Sequence, residues 1–181
     1  MAKLNGNRVV TNEVRLSYVT IAEPKGMEGA DPKYSVSIII PKADTETIGL
    51  INKMVDKAIE DGVAKFGGKK PNKAALKLPL RDGDIERDDA AYQNAYFINC
   101  NSKIKPQVVG PDRREIDASE VYSGCYGRVS INFYAFNRNG NKGIACGLGN
   151  VQKLRDGEAL GGGRVSAADD FGAADEDDFL S

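Results

Sequence analysis

Aromatic rings and cations that share one face of an extended segment are the side chains best suited to chemistry in this chain. From Tyr126 to Asn137 the residues alternate: Val129, Ile131, Phe133 and Ala135 point one way, and Arg128, Ser130, Asn132, Tyr134 and Phe136 point the other. Period-two alternation marks a strand with one buried face. Phe97, Asn99, Asn101 and Lys103 share a parity upstream, with Lys105 beyond them, and Arg15 and Lys33 fall on the outer faces of their own segments. An outward face that mixes Arg and Lys with rings suits a polyanion whose bases are exposed. Bases stack on rings for about 1–3 kcal/mol each, and cations follow the phosphates. Tyr122 and Tyr126 flank a glycine-containing turn and are candidates to line the same groove.

A second cationic feature lies between Gly62 and Arg81. Lys65, Lys69, Lys70, Lys73, Lys77 and Arg81 occur there with no acid. Gly67, Gly68, Pro71 and Pro79 argue against regular structure, so the stretch is expected to be a long basic loop that clamps a phosphate backbone. The Gly67-Gly68-Lys69-Lys70 run lacks the spacing and the Ser or Thr of a nucleotide-binding phosphate loop.

Other chemistry is poorly supplied. The chain has no histidine, which removes Ser–His and Cys–His nucleophile pairs and the common His-bearing metal sites. Cys100, Cys125 and Cys146 are odd in number and far apart, and fit buried free thiols better than disulfides or a zinc site. The acidic run Asp82, Asp84, Glu86, Asp88, Asp89 lacks the glycine and terminal glutamate of a calcium hand. A carboxylate–metal nuclease is the sharpest enzymatic reading it offers, and a solvated turn is the simpler one. No catalytic residue, metal or cofactor is expected.

The elements that must position these residues are mostly strands. Val14, Leu16 and Tyr18 alternate with Arg15 and Ser17. Tyr34, Val36, Ile38 and Ile40 form one face of the next strand, which Pro41 ends. Asp44 is an N-cap for one helix whose apolar stripe is Ile48, Ile51, Val55, Ala58 and Ile59. A third strand region covers 95–105. Asn139-Gly140 is a hairpin turn that returns the long strand through Ile144, Cys146 and Leu148. Alternating strands with one buried face each predict a mainly β, five-stranded barrel with one amphipathic helix and long loops.

The formal net charge of −1 hides an asymmetry. Residues 169–181 hold six acids and no base, which leaves 25 bases against 20 acids, a net +5, in the other 168 residues. Residues 1–156 are read as the folded domain. Residues 157–181 are read as a Gly-rich linker and a disordered acidic tail that ends Asp175-Glu176-Asp177-Asp178-Phe179-Leu180-Ser181. Acids followed by two large apolar residues suit a peptide that binds a partner or returns to the basic body. No run of eighteen apolar residues is present, and Met1 to Val10 is polar and basic, so the reading is cytoplasmic, with no membrane contact. Monomer and dimer both remain open.

The segment Tyr122-Ser-Gly-Cys-Tyr-Gly-Arg-Val-Ser-Ile-Asn-Phe-Tyr-Ala-Phe-Asn, followed by Asn139-Gly-Asn-Lys-Gly-Ile-Ala-Cys-Gly-Leu-Gly-Asn-Val-Gln-Lys-Leu-Arg-Asp-Gly-Glu, resembles a bacteriophage family of single-stranded-DNA-binding proteins. The resemblance covers residues 1 to about 160. It implies an OB-fold with added elements, a place in phage DNA replication or recombination, and single strands laid across the barrel without base-specific readout. The tail is similar in kind to the acidic tails of bacterial and phage single-strand binders, which implies that it recruits replication or recombination proteins. Here Phe179 is not terminal, which departs from tails that end in an aromatic residue. The competing reading is a protein-interaction or assembly module that works through the tail.

Overall fold

The computed structural model describes residues 1–26 and 32–160. Nine strands form one sheet: β1 (Lys3–Asn5), β2 (Arg8–Val10), β3 (Val14–Lys25), β4 (Lys33–Pro41), β5 (Leu80–Asp82), β6 (Ala95–Ser102), β7 (Val108–Val109), β8 (Tyr126–Arg138) and β9 (Asn141–Arg155). Helix α1 spans Thr45–Asp61, and a single turn, α2, spans Gly83–Glu86. Five of the strands close on themselves: β3 pairs with β4, β4 with β6, β6 with β9, β9 with β8, and β8 with β3. All the ring pairings are antiparallel except β6–β9. Closure removes the open edges that a five-stranded sheet would leave; the ring is the small barrel expected from the alternation, of the OB type that the family resemblance implies.

Parity fills the barrel. Leu16, Val36, Ile38, Ile40, Ile98, Cys100, Val129, Ile131, Ile144, Cys146, Leu148 and Val151 share one buried cluster with Ile51, Val55 and Ile59 of α1. The helix begins where Asp44 accepts the amide of Thr47 through its side chain, as an N-cap should. A short 3-10 turn, Val63–Phe66, follows the helix, and Gly67 ends that turn at φ 87°, a conformation cheap only for glycine. All three cysteines are buried free thiols.

A smaller apolar cluster sits on the outside of the barrel. Ile39 of β4 and Ala95 and Phe97 of β6 point outward and are roofed by Tyr92, whose ring meets Phe97 edge-on at 5.2 Å. The roof is the α2 segment and the 3-10 turn Ala90–Tyr92. The acidic run builds this roof. Asp82 caps α2 and Asp89 caps the 3-10 turn. Asp84 accepts from Lys42 Nζ at 2.8 Å and from the Asn94 amide at 2.9 Å. These bonds, the one from Lys42 first, hold the Asp84 carboxyl below its usual range. With Glu86 paired to Arg81, four of the five carboxylates thus have structural work as caps or ion-pair partners. No helix among the described residues is long and apolar enough to cross a membrane.

Candidate nucleic-acid interface

The outer face of β3, β4, β6 and β9 is the open side of the barrel. Outward on β4 are Ser35 and Ser37, and beside them on β6 are Asn101 and Asn99, paired in register. Ala145 and Gly147 follow on β9, and Tyr134 and Asn132 stand opposite them on β8. Residues of this row are small or amide-bearing between two exposed rings, Tyr18 at 46% and Tyr134 at 43% exposure.

Two hollows flank the Asn99–Asn101 row. One, of about 310 Å³, is lined by Tyr18, Ser35, Ser37 and Arg87 together with both asparagines. The other, of about 560 Å³, lies between the asparagines, Ala145 and a strap formed by Lys77 to Arg81. Backbone bonds pin the strap to β9: the Lys77 amide donates to Lys142 O, and its carbonyl accepts from the Ile144 amide, both at 2.9 Å. At its other end it becomes β5, which pairs with β6 from Leu80 to Asp82. It therefore bridges the diverging ends of β6 and β9 and carries Lys77 to the cleft. Gly143 has to be glycine here, because a Cβ would collide with the Lys77 carbonyl.

Tyr18 is a correction to the parity expected for β3. Alternation places it inward with Val14 and Leu16, whereas Ser17 is buried and Tyr18 is exposed. A register shift between Ser17 and Thr20 flips the side chains, and Tyr18 takes φ 46° to accommodate it. Arg87 is the second residue that alternation alone does not reveal. Its guanidinium lies 4.9 Å from the Phe97 ring centre, 5.2 Å from Tyr92 and 5.4 Å from Tyr18. A cation inside an acidic run gives no sign of this: Tyr92 and Phe97 follow Arg87 within ten residues, but Tyr18 comes from β3, far away in sequence.

Phe97 needs a correction too. It faces outward as expected, yet it is 1% exposed beneath Tyr92 and Arg87 and offers no face to a base. Arg15, Tyr122 and Tyr126 gather at one end of the barrel and hold the chain after β9. Arg15 donates to Gly124 O at 3.2 Å and to Glu158 O at 2.8 Å. The Tyr126 ring lies between Arg15 and Arg155, with 3.9 Å from the Arg155 guanidinium to its centre. The Tyr122 hydroxyl donates to Asp156 Oδ1 at 3.0 Å. Arg128 donates to Thr11 O and Met1 O, which pins the N-terminal segment. It lies six residues from Tyr134 along β8, about 20 Å away at strand rise.

The basic loop is more ordered and less available than its composition implies. Lys73 pairs with Asp56 and Lys70 with Glu60, both on α1, and Lys65 donates to Ala135 O. Leu76 is buried. Lys69 is exposed, and Lys77 stands at the cleft. Lys33 opens β4 on the outer face, Lys103 and Lys105 are exposed in the loop after β6, and Phe136 is half-buried beside Gly143. The tail residues Asp175, Glu176, Asp177, Asp178, Phe179 and Leu180 lie outside the described residues.

A family model described as Enterobacter phage Enc34, ssDNA-binding protein, matches residues 7–180. The chain belongs to the Enc34 single-stranded-DNA-binding protein family. A solved structure of the single-stranded DNA-binding protein from bacteriophage Enc34 in complex with ssDNA superposes with a TM-score of 0.75 at 25% identity, covering 86% of this chain and 90% of that one. Protein p50 of Acyrthosiphon pisum secondary endosymbiont phage 1 is 31% identical over 96% of this chain and 99% of its own length. The single-stranded-DNA-binding protein gp2.5 of bacteriophage T7 shares the fold at a TM-score of 0.62 with 15% identity, covering 90% of this chain and 99% of that one.

Proposed function

We propose that this protein binds single-stranded DNA, without enzymatic activity, in phage DNA replication or recombination. The strand lies across the outer face of β3, β4, β6 and β9. Tyr18 and Tyr134 are the stacking platforms. Lys77, with Lys33 and Lys69 on the flanks, meets the phosphates, and Arg87 adds a guanidinium beside Tyr18. The observation that carries this reading is the pair of exposed tyrosines on either side of an open, amide-lined face, since stacking tolerates any base. The family, and a relative solved with ssDNA, support it.

We further propose that the acidic tail competes with DNA for this face and recruits partners through Phe179 and Leu180 when displaced. The chain leading to it is laid toward the face. Leu160 donates its amide to Ser123 O and packs on the outer cluster of Ile39, Tyr92, Ala95 and Phe97, next to Arg87. The body's net +5 and the tail's six acids set the attraction.

The test is titration of a fluorescent oligo-dT of roughly 20–30 nucleotides, a length matched to typical site sizes, at two salt concentrations with duplex competitor. Tight binding that weakens with salt and resists duplex is expected. Removal of residues 169–181 should tighten binding at low salt. Equal preference for duplex overturns the single-strand reading, and an unchanged affinity without the tail overturns competition.

A further inference from the structure

The row formed by Asn99 and Asn101 divides the groove. Both residues line the 310 Å³ hollow beside Tyr18 and Arg87, and both line the 560 Å³ cleft under the Lys77–Arg81 strap. They are successive outward residues of β6, so about 7 Å separates their Cα atoms and both line the same cleft. Asn99 is exposed and Asn101 half-buried. Neither side-chain amide has a hydrogen-bond partner among the described residues, although every amide carries donors and an acceptor that water or a ligand must satisfy.

The larger cleft is built for a planar group with one polar edge. Leu78, Pro79, Leu80 and Ile144 give it apolar walls, and the asparagines give it a polar floor. Glu86, the one acid on its lining, is paired with Arg81 at 2.7 Å, so a single uncompensated cation, Lys77, stands at the mouth. The charge favours a phosphate there, and the walls favour a ring within. A volume of 560 Å³ accommodates a purine with its sugar.

We infer that the cleft is a nucleobase subsite, and that Asn99 and Asn101 read the edge of the base it holds, with adenine favoured. This rests on the single-strand reading and refines it: stacking on Tyr18 and Tyr134 is indifferent to base identity, whereas the amides are not. An asparagine amide places its oxygen and NH2 side by side and matches the adjacent N6–H and N7 of adenine in a bidentate pair. Unpaired bases in single strands are read along such edges. Guanine presents two acceptors on the corresponding edge, and the pyrimidines leave the cleft underfilled.

The experiment compares oligo-dA, oligo-dC and oligo-dT of equal length on the full chain, on Asn99→Ala and on Asn101→Ala. The quantity read is the fold loss of each variant relative to wild type on each oligomer, so intrinsic differences in strand stiffness cancel. Thermal melting checks that the variants fold; both amides lack partners in the barrel, and an unchanged melting temperature is expected. At least one variant should lose threefold or more on oligo-dA beyond its loss on oligo-dT. Equal losses on all three oligomers would assign the amides to the sugar-phosphate backbone and overturn the inference, as would no loss at all or a larger loss on a pyrimidine. Wild-type protein that fails to bind any oligomer would instead overturn the single-strand reading beneath it.

Discussion

The guanidinium of Arg87 lies 5.4 Å from the ring centre of Tyr18, an exposed residue held at φ 46° by a bulge in β3. The same cation covers Phe97 and Tyr92, so one side chain joins a buried aromatic cluster to a ring open to solvent. A ring fixed by a strained backbone and a neighbouring cation loses little freedom when a base stacks on it.

That arrangement separates two aromatic substitutions. Tyr18→Ala should cost about 1–3 kcal/mol of oligo-dT affinity, the usual worth of one stacking ring, with little change in stability. Phe97→Ala should cost about 3–5 kcal/mol of folding free energy, because it empties the outer cluster. Chemical denaturation and titration together check both. Equal binding losses at matched stability would show that Phe97 is reached by DNA after all.

Strand parity made most of the barrel legible. The inward rows on β4, β8 and β9 follow from alternation, and the helix stripe from its three-and-four spacing. The site was legible only in part. Tyr134, Asn99 and Asn101 lie where alternation puts them, but Tyr18 escaped because a bulge shifts parity by one without a glycine to mark it. Arg15, Tyr122, Tyr126 and Arg128 carry the right chemistry for DNA, yet their partners are carbonyls, carboxylates and rings far away in sequence. Residue type reports what a side chain can bind; only the fold reports what it already has bound.

Charge availability makes the next prediction. Lys77 has no ion pair among the described residues and stands at the cleft, whereas Lys73 is paired with Asp56. A lysine that releases a counterion on binding contributes roughly 0.7 to the slope of log affinity against log salt for a single strand. Lys77→Ala should lower the slope by about that amount, and Lys73→Ala by much less. Titrations at four or five salt concentrations check the difference; equal slopes for the two variants would contradict it.

Gly143 tests the strap independently of charge. A Cβ at this position would meet the Lys77 carbonyl, whose hydrogen bond with the Ile144 amide fastens the strap to β9. Gly143→Ala should destabilise the fold by about 1–3 kcal/mol, the usual cost of overpacking, and weaken DNA binding by moving Lys77. Hydrogen exchange at the Ile144 amide should accelerate more than exchange at core amides of β4. Uniform acceleration would mean that the strap and barrel open together.

The latch at the end of the barrel makes the approach of the tail depend on pH. Asp156 accepts from Lys153, the main reason its carboxyl titrates below the ordinary 3.8, and from the Tyr122 hydroxyl. Lys153 is raised by the same bond. A carboxylate with a lowered folded pKa stabilises the state that holds it only while ionised. Its contribution is complete above the unfolded value near 3.8 and is lost as pH falls through the lower folded one. Lys153 stays charged throughout that window, so the loss belongs to Asp156. Below about pH 4, residues 156–160 should loosen while the barrel holds, because Asp156 is solvent-exposed and no acid is among the buried core residues described. Exchange at the Leu160 amide, which donates to Ser123 O, reports the opening directly. Asp156→Asn should show the acid-state protection factor at pH 7, and Tyr122→Phe a part of that loss. If Leu160 exchange followed global unfolding at every pH, the segment would be an integral part of the barrel rather than a latched strap leading to the tail.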